Sequence, residues 1–89
     1  MRSKTTKRFR MLFGALPEEV QQQARAAYRR FEEDPYHKSL RFKRVHTTLP
    51  LYSARVSKGW RVVGQREDDL VVWFWIGSHA AYDQLLARS

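Results

Sequence analysis

Cysteine is absent from this chain, and its absence excludes disulfide scaffolds, zinc knuckles and thiol chemistry together. Histidine is scarce: the three, His37, His46 and His79, include no pair at a metal-ligand spacing, so neither a metal nor another cofactor is expected. Long apolar runs are missing too. Nothing approaches the length of a membrane span. The run Met11–Leu16 behind the basic N-terminus is too short for a signal peptide and meets Pro17-Glu18-Glu19 at once. A cytoplasmic location is expected, with no membrane partner. No repeat, low-complexity tract or linker divides the 89 residues, which read as one domain, 1–89, with a single core.

Acidic residues are missing from two stretches, and that gap is the more telling one. Residues 1–10 hold Arg2, Lys4, Lys7, Arg8 and Arg10 with no carboxylate. Residues 36–61 hold Lys38, Arg41, Lys43, Arg44, Arg55, Lys58 and Arg61, again with none. All nine carboxylates fall in 18–34 and 67–83, and the net charge is +8. Segregation of this kind gives a positive face as well as a positive total, which favours a polyanionic partner.

What is present reads as α+β. Lys7–Phe13 alternates loosely and is expected to be a first strand. Pro17 suits the first helical position, Glu18 and Glu19 suit the positive end of the helix dipole, and Val20, Ala24, Ala27, Tyr28 and Phe31 make one apolar stripe. Asp34-Pro35 stops that helix. From Leu40 the period changes to two. Arg41–Val45 is a short strand, Leu51–Val56 a better one, Lys58-Gly59 a tight turn into Trp60–Arg66, and Glu67-Asp68-Asp69 a turn into Leu70–Ile76. Short turns make these an antiparallel meander. Ser78 caps a short closing helix over Ala80–Arg88. The expected architecture is a small antiparallel sheet with helices on one face.

Strict alternation along the strands sorts the two faces. Tyr52, Ala54, Val56, Trp60, Val62, Leu70, Val72, Phe74 and Ile76 point to the core. Ser53, Arg55, Arg61, Gln65, Trp73 and Trp75 then share the open face, with His79 at its lip. Guanidiniums suit bidentate phosphate contacts. Exposed tryptophans suit base stacking, worth about 1–3 kcal/mol per base. The pattern points to single-stranded RNA; the alternative is that Trp73 and Trp75 cover a second small core or dock a protein.

Leu51-Tyr52-Ser53-Ala54-Arg55-Val56, then Gly59-Trp60-Arg61-Val62-Val63, then Trp75-Ile76-Gly77-Ser78-His79-Ala80-Ala81-Tyr82 resemble the RelE/HigB/YoeB toxins of the RelE/ParE superfamily. The resemblance runs through nearly the whole chain. It implies the toxin of a toxin–antitoxin system: a ribosome-dependent endoribonuclease that cuts mRNA in the A site and is held inactive by a cognate antitoxin. Its partners would be that antitoxin, rRNA and mRNA. By the same resemblance Arg61 contacts the scissile phosphate, Arg55 and His79 fill basic positions of the site, and Tyr82 lies near a C-terminal tyrosine used by several members. Two departures stand out. Ser53 sits where a member carries a second lysine, and no carboxylate base is evident near the site.

Metal-free cleavage of RNA is an attack of the 2′-hydroxyl on its own phosphate. It needs a base for that hydroxyl, positive charge on the phosphorane and an acid for the leaving 5′-oxygen. Arg61 supplies the charge with support from Arg55. His79 is able to serve as acid or base, with the acid role favoured, and the base is left unassigned. Tyr82 either positions the phosphate or belongs to the core with Leu85 and Leu86. Lys38, Arg41, Lys43 and Arg44 are expected to hold RNA backbone, with His37 and His46 as surface residues. The competing readings are a ParE-like gyrase inhibitor and a catalytically degenerate module that only binds RNA or antitoxin.

Overall fold

In the computed structural model, which describes residues 1–88, three helices pack on a five-stranded sheet. The chain runs β1 (Arg2–Thr5), α1 (Lys7–Gly14), α2 (Glu18–Glu33), a 3₁₀ turn (Lys38–Leu40), β2 (Lys43–Arg44), β3 (Leu51–Ser57), β4 (Trp60–Glu67), β5 (Leu70–Ser78) and α3 (His79–Ala87). The sheet order is β1-β5-β4-β3-β2. The meander β2–β5 is antiparallel, as the short turns require, and β1 lies parallel to β5 at one edge. No helix among the described residues is long and apolar enough to cross a membrane.

At the N-terminus the structure differs from the expected strand. Lys7–Phe13 is not a strand but the body of α1, and the strand precedes it. Phe9, Met11 and Phe13 imitate a period of two, yet Phe9, Leu12 and Phe13 also satisfy helical spacing. Thr6 decides between them: its side chain accepts a hydrogen bond from the Phe9 N–H at 3.1 Å and caps the helix. The second helix follows the expected pattern. Glu18 and Glu19 occupy its first turn, and Val20, Ala24, Ala27 and Phe31 are buried. The Gln21 amide donates to the carbonyls of Phe13 and Leu16, both at 3.1 Å, and so fastens the α1–α2 turn.

Two cores result. On one face Ala27, Phe31, Leu40, Ala54, Val71 and Trp73 pack together, with the Phe31 and Trp73 rings edge to face at 5.4 Å. On the other, Val63 and Trp75 lie under Tyr82 of α3, flanked by Leu85 and Leu86. The long helix α2 thus covers one face as expected, while α3 folds over the opposite one.

Strict alternation fails in β5, for an identifiable reason. Val63 pairs with Trp75 and Gly64 with Trp73, so Phe74 is an extra residue opposite β4. A bulge of this kind reverses the facing of everything beyond it. Trp73 therefore joins the α2 core and Trp75 the α3 core, at 3% and 9% exposure. Neither has a face free to stack on a base. The expectation of a tryptophan platform for RNA is overturned, and the second-core alternative describes what these side chains do. Gly64 makes room for the packing: a Cβ there would lie 2.8 Å from the Trp73 ring and 2.7 Å from Val71.

Candidate active site

The tight turn between β3 and β4 sets Arg55 and Arg61 opposite one another in register, on the face that α3 partly covers. The α3 helix starts beside this turn. Ser78 caps it by accepting from the Ala81 N–H at 3.1 Å, and the His79 N–H donates to the Gly59 carbonyl at 2.8 Å. These contacts bring the first turn of α3 to the end of the β3–β4 hairpin. Between them lies a cleft of about 500 Å³ lined by Arg41, Lys43, Arg44, Ser53, Arg55, Arg61, His79, Tyr82 and Asp83. Five cations face one carboxylate across it.

Arg61 is held from behind. Its Nη1 donates to the carbonyls of Ser57 at 2.7 Å and Trp60 at 3.0 Å, which fixes the guanidinium without occupying its other nitrogens. Burial, and then the charge of Arg55, lower its pKa from the ordinary value, although a guanidinium still stays protonated. Both effects leave a cation short of counter-charge, the condition in which an added phosphate is bound most favourably.

His79 presents its ring edge-on to Tyr82, with centroids 6.0 Å apart at 89°. Its Nδ1 lies 3.2 Å from Oδ2 of Asp83, one helical turn further on. Tyr82 itself is buried, and its hydroxyl donates to Ser53 Oγ at 3.0 Å. Ser53, only 2% exposed, is thus a partner of the tyrosine rather than a polar group offered to a ligand.

Residues 18–84 match the family model described as the ParE-like toxin domain. This chain belongs to the ParE-like toxin family. Solved structures with the same fold include the archaeal RelE–RelB complex from Pyrococcus horikoshii, at 18% identity over 86% of this chain and 92% of that one, TM-score 0.68. YafQ from E. coli aligns at 12% identity over 92% and 98%, TM-score 0.71. The isolated E. coli RelE toxin aligns at 18% identity over 98% and 96%, TM-score 0.62. No curated protein matches the chain in sequence.

Within this ParE-like domain the cleft gathers Arg55, Arg61, His79, Tyr82, Arg41, Lys43 and Arg44 from the sequence-derived set. Lys38, on the 3₁₀ turn, does not line it, and Trp73 and Trp75 are interior. Arg44 has structural work: Nε donates to the His46 carbonyl at 3.0 Å and Nη2 to that of Thr48 at 3.2 Å, bracing the β2–β3 loop. His46 Nδ1 accepts from the Leu49 N–H at 2.9 Å, and His37 Nδ1 from the Ser39 N–H at 3.2 Å, so both histidines shape turns. Asp83 is the residue that the sequence reading missed. Its signal was the i,i+4 spacing from His79 on a helix beginning at that histidine.

Another concavity, of about 410 Å³, opens between α1, α2 and the sheet. Phe9, Phe13, Ala24, Ala27, Phe31 and Trp73 line it, and its walls are apolar apart from a rim that includes Arg10, Arg25 and Arg29. Arg55 reaches it as well, but among the described residues it has neither a histidine nor a carboxylate.

Proposed function

We propose that this ParE-like toxin is a ribosome-dependent endoribonuclease that cuts mRNA in the A site and is neutralised by a cognate antitoxin. The observation that carries the reading is the convergence of Arg55, Arg61 and His79 on one cationic cleft, with the guanidinium of Arg61 braced from behind. In the proposed reaction the 2′-hydroxyl gives its proton to water and its oxygen bonds to phosphorus. The bond from phosphorus to the 5′-oxygen breaks, and that oxygen takes a proton from the His79 imidazolium. Arg61, with Arg55 beside it, carries the charge that develops on the phosphorane, a contribution of about 3–4 kcal/mol for a well-placed donor. Arg41 and Lys43 hold the strand on either side. A protein partner is supported by similar folds found in complexes, RelE with RelB and YafQ with DinJ.

The test is primer extension on a defined mRNA carried by translating ribosomes, with wild type and His79→Ala side by side. Ribosome-dependent cuts at A-site codons, lost in the variant, are the expected result. Absence of cuts with ribosomes engaged would sink the nuclease reading. A second reading, inhibition of DNA gyrase, draws on the match to the ParE-like model. A supercoiling assay decides it, and that activity should survive His79→Ala.

A further inference from the structure

Among the described residues Asp83 is the single carboxylate lining a cleft that also gathers five lysines and arginines, and it lies against His79. Its Oδ2 is 3.2 Å from Nδ1 of His79, an ion-pair contact between two partly exposed side chains. The other charged groups around the ring are Arg61 on β4, Arg55 on β3, Lys43 and Arg44 on β2, and Arg41 before it. All are donors only. None is able to accept a hydrogen bond from the ring, so among the described residues Asp83 is the one charged side chain lining the cleft with the chemistry to do so.

We propose that Asp83 is a positioning residue that keeps a proton on Nδ1 of His79 and thereby makes Nε2 the nitrogen that works on RNA. The first half stands on the geometry alone, and the second rests on the nuclease reading above. The chemistry follows from proton accounting. As general acid, the imidazolium gives its Nε2 proton to the leaving 5′-oxygen and is left with one proton, on Nδ1. A carboxylate at Nδ1 stabilises that neutral tautomer, whereas a free imidazole favours the opposite one. Without the carboxylate, donation from Nε2 leads to the less stable tautomer, a penalty felt in turnover and not in binding.

Two measurements on the full chain test the two halves separately. Imidazole ¹⁵N shifts, read without ribosomes, should report the Nδ1–H tautomer in wild type and the Nε2–H tautomer in Asp83→Ala. An unchanged tautomer overturns the inference. In the ribosome assay Asp83→Ala should lower kcat by on the order of 10-fold to 100-fold with KM kept. The same change made on top of His79→Ala should have no further effect. A loss that adds to that of His79→Ala would mean that Asp83 acts on its own, and this too overturns the proposal. If wild type cuts nothing, the nuclease reading falls, and the tautomer alone decides what Asp83 does.

Discussion

Tyr82 touches the cleft and the core at once, and one substitution separates the two roles. Tyr82→Phe removes only the hydroxyl and leaves Ser53 Oγ buried without its donor. It should cost about 1 kcal/mol in urea unfolding and leave kcat essentially unchanged. A fall in kcat with stability intact would instead put the hydroxyl on the phosphate. Arg61 behaves differently, because its carbonyl contacts and its cleft charge belong to one group. Arg61→Lys keeps a cation but loses the fork that holds the backbone and, in the proposed reaction, the phosphate, so turnover should drop by about 100-fold. At this scale the sequence was informative about charge. Arg55, Arg61 and His79 were legible because their types and their places at strand ends are local facts. Asp83 was not, since its meaning depends on which way the His79 ring turns.

The bulge in β5 is the element on which the sheet reading broke. Period-two patterning assigns every residue of a strand to a face, and one unpaired residue inverts the assignment from that point. Nothing local in Val71–Ile76, an unbroken apolar run, marks Phe74 as the extra residue; it follows from Gly64 across the ladder. Gly64→Ala should therefore destabilise by about 1–3 kcal/mol through overpacking against Trp73, seen as a lower urea midpoint. The helix α1 was misread for the opposite reason, since its cap, Thr6, precedes an apolar pattern that fits both periods.

The parallel edge strand carries a pH dependence of its own. Arg2 donates to the Asp69 carboxylate at 3.1 Å, and this bond together with the charge of Arg2 holds the pKa of Asp69 below its ordinary value. A carboxyl lowered in the folded state adds stability above its unfolded pKa and loses it as pH falls through the folded one. Arg2→Ala should therefore lower the thermal midpoint at neutral pH and have no effect once the medium is acidic enough to protonate Asp69 in both states.

For the molecule as a whole the governing quantity is charge placement. The net charge of +8 is unevenly placed: five of the 17 lysines and arginines line one cleft, where Asp83 is the carboxylate that faces them, and others gather in residues 1–10 and on α2. Binding of single-stranded RNA should weaken steeply with salt, and each phosphate contact removed, as in Lys43→Ala or Arg41→Ala, should flatten the log–log slope by about 0.7. Arg44→Ala should do more than this, because it also releases the β2–β3 loop. The basic stretch 36–61 made the positive charge of the cleft legible from sequence. The position of the cleft was not legible, because it needs β2, β3, β4 and α3 brought together.

The pairing of β1 with β5 also bears on timing. During synthesis β1 finds its partner only when residues 70–73 have been made, and His79 follows shortly after them. Closing the sheet edge and delivering the proposed acid are consecutive moments of synthesis. A chain abandoned before residue 70 has neither, so a fragment of that kind would lack both the closed edge and the group on which the proposed cleavage depends.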